Sequence, residues 1–337
     1  MPTWSGILHE LGATKTPAGL PDFDGVRRKY LASLYAHTGR NVILYASKWT
    51  QGAVNADPDT ISINDEDMQG LMEVVYGLPD APLDLIVHSP GGSAEATEMV
   101  VQYLRSKFTH IRVIVPQAAM SAATMLACGA DEIVMGKHSA LGPVDPQFII
   151  AGPFGQRNAV PAQAILDQFD LARTECRDPA LLGAWAPMLS QYGPALLKQC
   201  ENALKLAEDL VAEWLERWMF AGKSDAALKA RGIAAGLRDH GAFKSHGRHI
   251  TRDRAEKIGL AVTPLEADQT FQDLALSVFH ATTHTFGGTP CVKIIENHLG
   301  KAFVKLQQAM SFPGLVVPQG PMNPVPLSPG APAPPGA

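Results

Sequence analysis

Leu85-Ile86-Val87-His88-Ser89-Pro90-Gly91-Gly92-Ser93 opens the stretch that decides the fold, and Ala119-Met120-Ser121-Ala122-Ala123-Thr124 and Leu141-Gly142-Pro143-Val144-Asp145-Pro146-Gln147 complete it. The first segment is an apolar strand that stops at a Pro-Gly-Gly turn, with His88 as the buried strand end. Backbone N–H groups at such a turn carry no obstructing side chain, so Gly91 and Gly92 can offer them to an oxyanion. The second segment puts Ser121 at the next strand-to-helix junction, where a serine is either a helix N-cap or a nucleophile. Asp145, between two prolines, suits a turn as well as a catalytic site.

Outward from this stretch, strand and helix alternate. Leu83 to His88, Ile111 to Pro116 and Glu132 to Met135 read as strands. Ser93 to Lys107, with Met99, Val100 and Leu104 on one face, and Met120 to Gly129 read as helices. Continuous apolar strands separated by helices predict a parallel sheet buried on both faces. Upstream, residues 1–21 read as an arm and residues 22–38 as an amphipathic helix, followed by a short strand from Asn41 to Ala46. Gln51 to Ile63 reads as a polar loop entering a small strand. Asn64-Asp65-Glu66-Asp67 then supplies helix-start residues ahead of Met68, Leu71, Met72 and Val75.

Downstream the pattern is mostly helical. Pro187 to Phe220 contains a long helix, and shorter ones over Ala226 to Leu237 and Arg252 to Ile258 flank a loop holding His240, His246 and His249. The spacing of Val292, Ile295, Leu299, Phe303 and Leu306 predicts another helix over Pro290 to Gln308. The last 27 residues hold nine prolines and almost no charge, which predicts an extended, disordered tail.

Composition narrows the function. The chain has 337 residues, 46% of them hydrophobic, and a formal charge of −5. It is long enough for one large core with an appendage. The absence of a Lys/Arg stripe argues against a nucleic-acid partner. No signal-peptide pattern and no apolar run of membrane-spanning length is visible, so a cytoplasmic protein without a membrane span is expected. Cys128, Cys176, Cys200 and Cys291 show no metal-ligand spacing and read as reduced thiols, Cys128 as a small core residue. The three loop histidines lack the carboxylate pattern of a metal site, and neither a metal nor a cofactor is called for.

His88-Ser89-Pro90-Gly91-Gly92, Ala119-Met120-Ser121, Ala130-Asp131-Glu132-Ile133-Val134-Met135 and Leu141-Gly142-Pro143-Val144-Asp145-Pro146-Gln147 together resemble the serine dehydrogenase proteinases. These are relatives of the Clp protease subunit and signal peptide peptidase A and, despite the name, are not dehydrogenases. The resemblance is strongest over roughly residues 40 to 150 and extends through 190 to 262. It implies an α/β fold of the ClpP/crotonase type, a spiral of ββα units with a helical C-terminal part. The corresponding division is an arm and helix at 1–40, a protease domain at 41–262, a helical segment at 263–310 and the Pro-rich tail at 311–337.

The family uses Ser, Asp and His in that chain order. The resemblance implies Ser121 as nucleophile, Asp145 as the orienting carboxylate and His246 as base, with the N–H groups of Gly92 and Ala122, and also Gly91, as oxyanion donors. Ser245-His246-Gly247-Arg248-His249-Ile250 stands where the family has Thr-His-Asp-Tyr-Pro-Ile, which leaves His240 and His249 as competing bases. Ala122-Ala123 stands where the family commonly has Gly-Gly. A Ser-Lys dyad of the signal-peptidase kind would need a lysine some 40 to 50 residues past the serine, roughly; Lys137 is too near. The expected activity is hydrolysis of peptides or unfolded protein segments by a serine peptidase, in a homo-oligomer. Two alternatives stand beside it: a non-catalytic scaffold or interaction protein, and a crotonase-type acyl-CoA enzyme.

Overall fold

Strands buried on both faces must be apolar at every position, and in the computed structural model, which describes residues 3–51, 57–151 and 157–307, the central ones are nearly so. In chain order the elements begin with α1 (Trp4–Ala13), α2 (Phe23–Thr38), β1 (Asn41–Ser47), α3 (Pro58–Ile61), α4 (Asp67–Val75), β2 (Leu83–His88) and α5 (Ala94–Lys107). Then come β3 (Ile111–Val115), β4 (Ala118–Ala119), α6 (Ala122–Cys128), β5 (Glu132–Met135), β6 (Ala140–Leu141), β7 (Gln147–Ala151) and β8 (Arg157–Pro161). Next are α7 (Ala162–Glu175), α8 (Leu182–Leu189), α9 (Leu196–Trp214), α10 (Ala226–Arg238), α11 (His240–Phe243), β9 (Ile250–Thr251) and α12 (Arg252–Ile258). The described part closes with β10 (Val262–Pro264), α13 (Gln269–Gly288), β11 (Cys291–Asn297) and β12 (Ala302–Leu306).

The main sheet has the order β10-β5-β3-β2-β1-β11-β12. Its first five strands run parallel, as the alternation of strand and helix predicts, and β11 and β12 add an antiparallel edge. Side chains alternate between faces along each strand. Ile43 and Tyr45 of β1 enter one core with residues of α4, α5, α6, α9 and α10, while Val42, Leu44 and Ala46 enter the other with α2 and α13. A second, small sheet, β4-β6-β9, collects the segments that come after the main strands, and Ser89 bridges to Ala119 beside it. This repetition of main strand, short strand and helix is the ClpP-like architecture that the sequence motifs imply.

Several elements differ from the sequence expectation. The N-terminal arm contains α1, because Ile7 and Leu11 bury an apolar edge against Val26 and Ala281. Met72 and Met99 face solvent on α4 and α5, while their neighbours Leu71 and Val100 are buried. The helix expected over Pro290 to Gln308 is a β-hairpin, β11–β12, turning at Gly300 with φ 84°. All seven residues of β11 are buried, Lys293 and Glu296 among them. Arg27 and Arg28 of α2 pair with Glu296, which satisfies its charge from the helix layer. The apolar face of α9 is covered within the chain: Leu204, Ala207, Leu210, Val211 and Trp214 are buried. The helix runs on into a π turn over Leu215–Met219. The Pro-rich tail at 311–337 lies outside the described residues.

His88 ends β2 at 2% exposure, packed against Trp49 and Phe279. Burial pulls its imidazole down to about 3, the Ala118 carbonyl opposing the shift. The folded state therefore holds His88 neutral while the unfolded chain, near pH 6.5, takes up a proton. Stability from this residue is present above the unfolded value and is lost as pH falls toward about 3. The slope is at most about 1.4 kcal/mol per pH unit. His88→Leu should accordingly shrink the stability difference between pH 7 and pH 4.5 by about 2 kcal/mol, as measured by urea unfolding at the two pH values.

Candidate active site

Three chain segments meet at the C-terminal ends of β2, β3 and β5. The first is the turn after β2. Gly91 and Gly92 have φ of 101° and 155°, and each has a neighbour where a side chain would stand. A Cβ on Gly91 would lie 2.6 Å from the Met120 carbonyl oxygen and 2.7 Å from Ser121 Cβ. One on Gly92 would lie 2.3 Å from the Ile63 carbonyl oxygen. Ile63 pairs with Gly92 in parallel register: its N–H donates to Gly91 O at 2.7 Å and its carbonyl accepts from Ser93 N at 3.0 Å. Strand geometry then turns the Gly92 N–H to the opposite edge.

The second segment is Ala119 to Thr124. Met120 N donates to Ser89 O at 3.0 Å, fixing this segment beside the first. Ser121 comes next at φ 52° and ψ −122°, a conformation that costs an L-residue energy and that glycine adopts freely. It occupies the N-cap position of α6, yet its side chain makes no capping hydrogen bond. Its hydroxyl is part-exposed and has no hydrogen-bond partner among the described residues. Ala122 and Ala123 are buried, their methyl groups in the core that α5 and α9 cover. The Gly92 and Ala122 N–H groups have no hydrogen-bond partner among the described residues. That of Gly91 differs, donating to Ser89 Oγ at 3.2 Å.

The third segment carries Asp145. Thr124 Oγ1 donates to Ala119 O at 2.8 Å and accepts from Gly142 N at 2.9 Å, coupling the β6 exit to the Ser121 turn. Val144 N donates to Leu237 O at 3.0 Å, which brings in the end of α10 and the histidine loop behind it. The far end of that loop is held by β9, where Ile250 pairs with Leu141. Asp145 is thereby closed off from solvent, at 0% exposure, between two imidazoles. His246 Nδ1 lies 2.7 Å from its Oδ1 and His240 Nδ1 lies 2.9 Å from its Oδ2. Gln147 Nε2 donates to Oδ2 at 3.2 Å. Each imidazole that donates through Nδ1 has its Nε2 left as a proton acceptor. His249 is exposed and stands apart from this pair. Lys137 is exposed, and its backbone N–H donates to Glu266.

Beside Ser121 lies a cleft of about 260 Å³. Met125, Phe148 and Leu206 supply much of its apolar wall, and Ala203 and Ala207 of α9 keep it open by being small. Val144 and Pro146, the neighbours of Asp145, line it too. Ser121, the Gly92 amide and the Asp145 segment thus border one cleft. No hydrogen bond joins Ser121 Oγ to either imidazole among the described residues. The sequence singled out Ser121, Asp145 and His246. It kept His240 only as a competitor of His246 and did not foresee that both meet Asp145, and it missed the tie made by Thr124, whose position three residues after Ser121 on a helix was the available signal.

Residues 28–182 match the model of a family described as ClpP-like SDH-type serine proteinase. Two uncharacterized proteins of Methanocaldococcus jannaschii are similar in sequence. MJ1495 is 33% identical over 152 residues, 45% of this chain and 44% of the relative. MJ0137 is 42% identical over 84 residues, 25% of this chain and 29% of the relative. The chain therefore spans less than half the length of these curated relatives. Among solved structures, a 1510-N membrane-bound stomatin-specific protease in a mutant form aligns at 16% identity and a TM-score of 0.33, over 57% of this chain and 68% of that one. A second mutant form, in complex with a substrate peptide, aligns at 17% identity and a TM-score of 0.31, over 54% of this chain and 59% of that one. No helix among the described residues is long and apolar enough to cross a membrane. Residues 28–182, the segment similar to ClpP-like SDH-type serine proteinases, hold the Gly91–Gly92 turn, Ser121 and Asp145 and end before the histidine loop.

Proposed function

We propose that this protein is a serine peptidase in which Ser121 is the nucleophile, His246 the base and Asp145 the group that orients the base. The observation that carries the reading is the Ser121 backbone: a non-glycine residue at φ 52° whose hydroxyl caps nothing. A serine retained for structure would cap α6 or give way to glycine. A serine on a sharp strand-to-helix turn, with its hydroxyl free beside two unpartnered N–H groups, suits nucleophilic attack.

In this mechanism Ser121 Oγ forms a bond to the substrate carbonyl carbon as its proton passes to His246 Nε2. The carbonyl oxygen becomes an oxyanion between the N–H groups of Gly92 and Ala122, at the positive end of α6. Gly91, already bonded to Ser89, acts as the spacer that sets Gly92 in place. Collapse of the intermediate breaks the C–N bond, His246 returns its proton to the leaving amine, and water then releases the acyl group by the same steps. Asp145 keeps the His246 Nδ1 protonated and so Nε2 basic. The Oγ–Nε2 hydrogen bond forms with substrate in the cleft, as such contacts commonly tighten only in the bound complex. The apolar wall of the cleft fits an uncharged apolar side chain of an extended peptide.

Labelling with a fluorophosphonate serine probe, followed by peptide mapping, tests this directly. Modification is expected at Ser121 and at no other serine, and its absence from the intact protein would remove the proposal. Ser121→Gly should abolish labelling while raising stability by about 1 kcal/mol, because glycine relieves the left-handed backbone. A structural cap would instead lose stability. His246→Ala should slow labelling at least about a hundredfold, the lower range for a general base. His240→Ala should slow it by less than about tenfold, since it removes one of the partners of Asp145 and leaves the base in place. The reverse order would assign the base to His240.

A further inference from the structure

A lysine far from the cleft, on β11, is tied to the turn that bears the Gly92 N–H. Lys293 is wholly buried, and its three ammonium hydrogens have three acceptors. Two are the carboxylate oxygens of Asp67, at 2.8 and 2.9 Å, and the third is the carbonyl oxygen of Ser62, at 2.6 Å. Ser62 is the residue before Ile63, which holds Gly91 and Ser93 by both of its backbone groups. Asp67 also braces this strand directly, accepting from Asn64 N at 3.1 Å and from Tyr45 Oη at 2.6 Å. Residues 62–64 are thus held at both ends by one buried ion pair, with Ile63 between them pressed against the glycine turn.

We propose that Lys293 is a positioning residue for the oxyanion donor: through Ser62 O it fixes Ile63, and through Ile63 it fixes the Gly92 N–H toward Ser121. The inference rests on the serine-peptidase reading for its catalytic consequence, and on the backbone geometry alone for its structural part. An ion pair so fully desolvated is not needed for stability, since apolar residues of like size often serve as well. Its hydrogen bond to a main-chain oxygen gives direction, which apolar packing does not.

The charged and titratable groups around Lys293 define a pH response. Asp67 and Glu66 face it from α4 and its N-cap, Tyr45 from β1 and Lys305 from β12. Burial outweighs the attraction of Asp67 and brings the ammonium down to about 8. Burial and the Asp67 charge hold Tyr45 well above its ordinary range, so that phenol stays neutral there. As pH rises through about 8, Lys293 becomes an amine with two hydrogens for three acceptors, and the grip on Ser62 weakens.

The test compares the full-length wild type, Lys293→Met and Lys305→Met by hydrogen–deuterium exchange and by fluorophosphonate labelling against pH. Lys305 reaches Asp67 at 3.4 Å without touching Ser62, so its substitution controls for loss of nearby charge. In Lys293→Met, exchange at the Ile63 and Ser93 amides should rise about tenfold, with β2 and β3 unchanged. Labelling of Ser121 should slow by about ten- to a hundredfold, the range for a misplaced catalytic group. The wild type should lose labelling rate as pH rises through about 8, and Lys293→Met should lack that limb. Lys305→Met should match the wild type in exchange and in labelling rate below that limb, with the limb itself moved to higher pH because a like charge beside Lys293 is gone. If Lys293→Met does not fold, Lys293→Met/Asp67→Leu, which leaves no lone buried charge, takes its place. Unchanged exchange at Ile63 and Ser93, or an equal rise across the sheet, overturns the proposal. A wild type that exchanges as expected but never labels leaves the positioning role standing and removes the peptidase reading instead.

Discussion

The backbone contact at Gly91 and Gly92 is the constraint on which the site depends. One glycine lies against the Ser121 turn and the other against Ile63, and in both directions the space left for a side chain is less than a van der Waals contact. Three backbones therefore pass one another at the closest spacing a polypeptide allows. That spacing brings two turns, 30 positions apart in the chain, against one serine. Side chains could not define such a position as tightly, because each adds rotatable bonds between the fold and the reacting atom.

The parallel sheet supplies the rest. Because β2, β3 and β5 point the same way, their exits lie at the same end of the sheet and deliver the glycine turn, the serine turn and the Asp145 segment to one place. The small sheet β4-β6-β9 then sets their order. The same sheet reaches forward about a hundred residues to bring in the histidine loop by pairing Leu141 with Ile250. The site is assembled largely by main-chain hydrogen bonds between segments, with the Thr124 hydroxyl tying two of them, and its last member, the pairing of imidazole with Asp145, is a contact between side chains.

The central strands and the glycine and serine turns were legible because each local pattern agreed with the final structure: unbroken apolar runs, Pro-Gly-Gly, Ser at a helix start. The C-terminal hairpin was not. Val292, Ile295, Leu299 and Phe303 satisfy a helical spacing, while the strand β11 is buried on both faces and shows no alternation. Lys293 and Glu296 fall between the apolar positions of that spacing. Only the tertiary structure reveals that Asp67 and the two arginines of α2 neutralise them in the interior. That His240 shares Asp145 with His246 was unreadable for a related reason. Nothing local distinguishes three histidines within ten residues, and His240 joins His246 at Asp145 because α10 ends beside Val144, a contact across more than 90 positions. The strain at Ser121 was likewise invisible, since a positive φ leaves no mark on the residue that bears it.

The order of segments along the chain has a consequence for biosynthesis. The Ser121 turn emerges from the ribosome well before the histidine loop, and the strand that carries Lys293 emerges later still. While the chain is being made, Ser121 has neither His246 beside Asp145 nor β11 closing the sheet next to β1. A nascent chain is therefore without the paired Asp145 and His246 for as long as unfolded polypeptide, its own included, is nearest to it. The complete arrangement of Ser121, Asp145 and His246 arrives only with the last described strands, and under the proposed peptidase reading the fold itself acts as the delay.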